Sequence, residues 1–340
     1  MALTPLSPTQ FQKQLITWQR THGRHDLPWQ VNPTPYRVLV SEIMLQQTQV
    51  ITVIPYFEKW MERFPTVELL AAASEDEVMS YWQGLGYYSR ARNLRKAALH
   101  LIDQHQGHFP TDIQALLEIP GVGRYTAGAI ASFAFNTYGP IVDGNVKRLF
   151  CRYFGIEGVP GTTLVDKALW HRAETYTPNT ENRAFAQGLL DMGATICKPQ
   201  NPDCQNCPLS DTCFALQHQQ IENLPTPKPK KTVPTKQGQF IWLMQGQSLL
   251  LEKRAEDGIW GSLWCLPQIY VDPIQLEHAT LAGHFKHTFT HYKLEASVWQ
   301  IDNLSRLEVN QAWIDIHELE QIGLPTPIRK FIEKHLTALL

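Results

Sequence analysis

Four cysteines fall within seventeen residues, Cys197, Cys204, Cys207 and Cys213, spaced C-x6-C-x2-C-x5-C. Four thiols in so short a stretch point to a metal, because thiolates crowded together repel unless a cation gathers them. The flanks, KPQNPDC and CPLSDTC, are rich in Pro, Asn, Asp and Ser, which favour loops able to wrap an ion or cluster. A structural zinc site usually pairs two short Cys-x2-4-Cys knuckles, and here only one spacing is short. An iron–sulfur cube is served at least as well by four cysteines from one compact run. Two disulfides, or unrelated thiols, are the plain alternative.

The rest of the composition narrows the setting. A chain of 340 residues, 43% hydrophobic and 18% charged, is ordinary for a globular protein and long enough for two domains. There is no run of eighteen apolar residues, so no transmembrane helix and no membrane partner are expected. The start, MALTPLSPTQFQKQL, lacks a basic segment followed by an apolar one, so a signal peptide is not expected. Six cysteines, four of them clustered, do not resemble a secreted disulfide framework, and a reducing cytoplasm fits best. A net charge of −2 argues against a histone-like binder but allows local basic patches.

From Thr9 to about Ala194 apolar residues recur at helical spacing. Pro8 and Thr9 would start a first helix carrying Phe11, Leu15, Ile16 and Trp18. Further helices are expected near 36–47, 50–63, 66–72, 75–82, 87–105, 112–118, 124–134, 143–153, 163–175 and 181–193, with Gly and Pro in the gaps. The stretch LPTPKPKKTVPTK (224–236), with four Pro and four Lys, reads as an extended linker. Beyond it QFIWLMQ, SLLLEKR and HFKHTFTHYKLEASVWQI alternate like strands, and the tail from Pro327 to Leu340 is helical again.

Residues 116–127 read LLEIPGVGRYTA. Gly121 and Gly123 can both take positive φ, giving a tight turn that aims backbone N–H groups outward at the start of the next helix. That is an anion site, and a DNA phosphate is its natural guest. A plain helix–helix turn would use the same glycines, but the longer string is more specific. It resembles the helix-hairpin-helix of a large family of DNA repair glycosylases. In that family an aspartate follows the hairpin and faces the flipped nucleotide. Here Asp143, in VDGNVKR, stands sixteen residues past Ala127. The cysteine spacing matches the family's [4Fe–4S] loop, so the resemblance moves the metal from zinc toward iron–sulfur.

Within that family, LPWQVNPTPYRVLVSEIMLQQTQV (27–50) is similar to the opening of the MutY adenine glycosylases, a likeness that extends over essentially the whole chain. Endonuclease III relatives lack a glutamate at the Glu42 position and carry a nucleophilic lysine just after the hairpin, where this chain has Tyr125. A monofunctional glycosylase needs no Schiff base, so that loss has chemical meaning. Glu42, bracketed by Ile43, Met44 and Leu45, is expected to be a buried acid of raised pKa. Asp143 is expected to stay ionised and stabilise the oxocarbenium-like sugar, following the two-carboxylate logic of glycoside hydrolysis. The plain alternatives are a solvated helix face for Glu42 and a helix N-cap for Asp143. Asn145 and Tyr125 are expected to orient Asp143 and the sugar.

Base flipping needs a wedge, and the resemblance implies Gln47 and Tyr87. The alternative for Tyr87 is a half-buried aromatic under the Gly84–Gly86 turn. Arg90, Arg92, Arg95 and Lys96 are expected to face phosphates, unless they form a merely solvated face. Trp29 and Gln187 resemble residues lining the adenine pocket.

RAEDGIWGSLWCLPQ (254–268) resembles the loop signature of Nudix pyrophosphatases, yet residues 268–283, QIYVDPIQLEHATLAG, lack the clustered glutamates of the catalytic box. No magnesium triphosphate site can be built without them. The resemblance implies a lesion reader instead, with Phe289, Thr290 and His291 at the loop that reads 8-oxoguanine; core packing is the alternative for Phe289. The expected fold class is a multidomain α+β chain. It has an all-α helix-hairpin-helix glycosylase domain (1–223) with its cluster loop at 197–213, a linker (224–236), and an α+β Nudix-like domain (237–340). The expected function is monofunctional removal of adenine from double-stranded DNA opposite 8-oxoguanine or G. The protein is expected to be a monomer, cytoplasmic and nucleoid-associated. The rival readings are a bifunctional lyase using Lys147, a non-catalytic redox protein, and a nucleotide hydrolase.

Overall fold

A computed structural model describes residues 4–229, 232–270, 279–304 and 306–339. The chain divides into two compact units, Met1–Glu68 with Lys96–Lys230, and Leu69–Arg95 with Lys231–Leu340. A helical stretch from the middle of the first half is therefore grouped with the C-terminal half.

The first unit is helical. Helix α1 (Pro8–His22) opens on a capping box, with Ser7 and Gln10 satisfying each other's backbone N–H, and Pro8 in the first turn where its missing donor costs nothing. Its apolar stripe closes on Phe11, which is wholly buried among Phe150, Tyr153, Tyr176 and Phe185. Then come α2 (Pro35–Leu45), α3 (Val50–Arg63), α4 (Val67–Ala72), α5 (Glu75–Trp82), α6 (Ser89–His105), α7 (Ile113–Leu117) and α8 (Arg124–Ala129), of which α5, most of α4 and the start of α6 belong to the second unit. They are followed by α9 (Gly144–Phe154), α10 (Thr163–Tyr176), α11 (Asn182–Asp191) and α12 (Phe214–Gln217). Helices expected to run straight through 124–134 and 181–193 instead widen into π-helical turns at Ile130–Phe135 and Met192–Ile196. Periodicity does not show this, because a change of repeat over only five or six residues is too short to read from the pattern. Among the described residues no helix is long and apolar enough to cross a membrane.

In the second unit, β1 (Thr235–Trp242) runs parallel to β7 (Lys293–Gln300) from Thr235 opposite Lys293 to Trp242 opposite Gln300. Short β5 (Gln268–Ile269) and β6 (Thr280–Thr288) complete that sheet in the order β5-β1-β7-β6. The second sheet centres on β3 (Ser248–Lys253), flanked by β2 (Met244–Gln245), β4 (Trp264–Cys265) and β8 (Gln311–Asp315). Strand alternation sends Phe240 and Trp242 into one core with Leu249, Leu251 and Val298, and Ile241 and Leu243 into another with Leu250. Helix α13 (Thr326–Leu339) covers the first core through Ile328, Phe331 and Ile332. Half of the stretch where the glutamate box is missing, 271–278, lies outside the described residues.

Candidate active site

Helix α2 explains why a glutamate is buried. Thr34 caps it, Pro35 starts it, and every residue from Val38 to Met44 is buried, so the stretch around Glu42 meets no water. Glu42 is 4% exposed. Its partner is Tyr125, from the first turn of α8, whose hydroxyl donates to Glu42 Oε2 at 2.5 Å. Burial pushes the Glu42 carboxyl up to about 7; the charge of Asp143 adds to the rise and the Tyr125 bond opposes it. Tyr125, expected to orient Asp143, therefore holds the other carboxyl.

Asp143 is the N-cap of α9 and accepts from Val146 N at 2.7 Å. Asn145 Nδ2 donates to its other oxygen at 3.1 Å. Burial raises this carboxyl as well, while these hydrogen bonds and the charge of Arg148 resist the rise. The capping role and a chemical role coexist, since the helix N-terminus favours the anion. Arg148, which the sequence reading did not single out, donates to Asn145 Oδ1 and to the carbonyls of Gly193 and Cys197.

Between α7 and α8, Gly121 takes φ +79, but Gly123 is extended at φ −92 and caps α8. The expectation that both turn left-handed is corrected: one inverted residue suffices, because the Val122 N–H bonds back to Ile119 O and closes the turn. A Cβ at Gly123 would meet no atom within 4 Å, so its surface is bare.

Two clefts share Glu42, Arg24, Leu45 and Val50. One is lined by Tyr125, Asp143, Asn145, Lys147 and Gln47, the last at φ +57 just past α2. Lys147 is paired with Asp166 at 3.0 Å. The other cleft holds Trp29, edge-on to Phe57, and Gln187. Gln187 Nε2 donates to the buried Asp191 at 2.8 Å, and Asp191 also accepts from Arg24. The sequence reading missed Arg24 and Asp191, although the four-residue spacing of Gln187 and Asp191 on a helix was a usable signal.

Tyr87 (φ +48, 44% exposed) lines a cleft of the second unit with Trp260, Phe289, Thr290 and His291. Phe289 also packs edge-on to His287 at 4.5 Å. The expected phosphate-facing arginines are corrected. Arg90 is buried and bonds to Leu85 O and Gly86 O over the Trp82 ring; Arg92 bonds to Gly261 O and Glu256 O; Arg95 bonds to Ala73 O. Bare carbonyls of tight loops outcompete solvent for a guanidinium whose donors fan out in a plane.

Cys197, Cys204, Cys207 and Cys213 line one small pocket and none is in a disulfide. Among the described residues no three His, Cys, Asp or Glu converge closely enough for a single ion. Burial and the neighbouring thiols push Cys207 up to about 12, so four thiolates here call for a positive counterpart. The buried Arg152 supplies part of it, 3.6 Å from Cys197 Sγ, while pinning the loop through the carbonyls of Lys198 and Pro199. Four cysteine thiols are the donor chemistry that an iron–sulfur cluster or a zinc ion would take.

The family model of the HhH-GPD superfamily base excision DNA repair protein matches residues 40–175, and that of the NUDIX domain matches 239–334. An adenine DNA glycosylase of Buchnera aphidicola subsp. Baizongia pistaciae is 38% identical, over 95% of this chain and 96% of its own. A thermostable thymine-DNA glycosylase superposes with a TM-score of 0.57 at 32% identity, covering 62% of this chain and 97% of its own. Endonuclease III in a non-covalent complex with DNA gives 0.52 at 25% identity, covering 63% and 98%.

Proposed function

This chain belongs to the adenine DNA glycosylases of the helix-hairpin-helix base excision repair family, and on that premise we propose that it hydrolyses the N-glycosidic bond of adenine mispaired with 8-oxoguanine or guanine. The observation that carries the reading is Glu42, an acid whose pKa burial raises to about 7 inside a cleft that also holds Asp143.

The flipped adenine enters beside Trp29 and Gln187. Glu42 gives its proton to a ring nitrogen as the bond to the sugar breaks, and the bonding pair leaves with the base. Asp143, held by Val146 and Asn145, faces the positive charge that develops on the sugar. Water then adds at the sugar carbon and its proton returns to a carboxylate. The hairpin of Gly121 and Gly123 takes a phosphate, and Gln47 and Tyr87 serve as wedges. Cys197, Cys204, Cys207 and Cys213 would hold a [4Fe–4S] cluster, which when bound supplies a positive centre for the loop and a redox-active group. Residues 1–223 remove the base, and 237–340, joined by the linker 224–236, read the lesion through Phe289, Thr290 and His291. The Thr290 hydroxyl keeps a donor and an acceptor there. The protein acts as a cytoplasmic, nucleoid-associated monomer.

The test is base release from duplexes that differ only in the base opposite adenine. Release opposite 8-oxoguanine and G, and little opposite T, is expected; no release from any duplex refutes the reading. Lys147 lies in the same cleft and favours a second reading, a lyase. Borohydride trapping on DNA that disappears in Lys147→Ala would establish it. The pairing of Lys147 with Asp166 and the phenol at position 125 support the monofunctional form instead.

A further inference from the structure

Asp191 is wholly buried, one turn beyond Gln187 on α11. Its Oδ1 accepts from Gln187 Nε2 and from Arg24 Nε, both at 2.8 Å, and its Oδ2 accepts from the Arg24 backbone N at 2.9 Å. A Cβ on Gly23 would stand 2.5 Å from the Gln19 carbonyl and 3.0 Å from Asp191 Oδ2. The loop thus reaches the carboxylate only because residue 23 is glycine.

A carboxylate accepts and never donates. The end of the Gln187 amide that meets it must be the NH2, and turning the amide over would press Oε1 against a buried anion. The polarity of the amide is therefore locked, leaving Oε1 and one N–H for the cleft. A 6-aminopurine offers the complement, an amino donor beside a ring-nitrogen acceptor. A 6-oxopurine such as hypoxanthine carries an oxygen in place of the amine, and would meet Oε1 acceptor to acceptor. A freely turning amide would accommodate either base.

We propose that Asp191 is a specificity-positioning residue: by fixing the Gln187 amide it makes the cleft select 6-aminopurines against 6-oxopurines. The proposal rests on adenine occupying the cleft of Trp29 and Gln187.

Single-turnover rates on duplexes carrying adenine or hypoxanthine opposite guanine test it. Asp191→Ala should lower the adenine-to-hypoxanthine rate ratio by at least about tenfold, and Asp191→Asn, whose side chain can turn either its oxygen or its NH2 toward Gln187 and so no longer dictates the amide polarity, should lower it as well. Gln187→Leu should lower the ratio as far, and adding Asp191→Ala to it should lower the ratio no further. Equal losses on both bases in a folded Asp191→Ala variant, checked by thermal melting, would overturn the proposal and leave Asp191 a structural brace. So would an unchanged ratio in Gln187→Leu, which decides alone if Asp191→Ala does not fold. A parent enzyme releasing neither base sinks the glycosylase reading itself; one releasing both at equal rates sinks only the role of Asp191.

Discussion

Replacing Glu42 by glutamine separates its chemistry from its structural cost. The substitution keeps the shape and still lets Tyr125 donate, since an amide oxygen accepts as a carboxylate oxygen does. It removes the transferable proton, so base release should fall by about 10²–10⁴ with DNA affinity little changed. Stability should move the other way. Raising the carboxyl from 4.5 to about 7 means that the fold disfavours the ionised form by about 3 kcal/mol. The folded state then binds the proton more tightly than the unfolded chain, so the parent loses stability as pH rises through that window, and above it carries the full penalty. Glu42→Gln has no such titration. Its stability relative to the parent should therefore grow by about 3 kcal/mol across the window and level off above pH of about 7. Denaturant melts across pH, with single-turnover kinetics on an A opposite G duplex, measure both. A variant that turns over within about tenfold of the parent removes Glu42 from the acid role. A stability difference flat in pH removes the buried-acid argument.

Because the Tyr125 hydroxyl lowers the Glu42 pKa, Tyr125→Phe should move the alkaline limb of the pH–rate profile to higher pH; a shift to lower pH refutes the assignment. Rates should fall as pH rises through about 7 in the parent, because the acid works protonated. Phe289→Ala should cost about tenfold in discrimination of 8-oxoguanine from G while base release opposite G persists, and equal losses on both would count against lesion reading. It is a better probe than deleting 237–340, because Leu69–Arg95 belongs to the same compact unit. Cys204→Ala should lower iron content and visible absorption in proportion, and weaken DNA binding; full colour in the variant would remove Cys204 from the ligands. Arg90→Leu should destabilise the protein by about 2–3 kcal/mol and leave the salt dependence of DNA binding unaltered, since its donors serve loop carbonyls rather than phosphates.

Much of the fold was legible because local signals agreed. Pro8 marks the start of α1 and the apolar alternation in QFIWL becomes the two faces of β1, although HFKHTFTHYKLEASVWQI, read as one run, is two strands, β6 and β7. Short-range chemistry of this kind is written in neighbouring residues. The π-helical turns were not legible, since they depend on how each helix end packs. The arginines of 90–95 were misread for a related reason: a charged residue at helical spacing looks the same whether it meets water, a phosphate or a loop carbonyl.

By itself the sequence determined the residue types available for chemistry and their order: a glutamate in an apolar helix, an aspartate after a glycine hairpin, four clustered cysteines and strands with inward apolar faces. Only the tertiary structure decided who partners whom. Glu42 and Tyr125 lie 83 positions apart in the chain and Arg24 and Asp191 lie 167 apart, yet each pair is hydrogen-bonded. The pKa of a carboxyl and the polarity of an amide are set by desolvation and by the nearest donor or acceptor. Those neighbours come from chain segments that meet only when the core has closed.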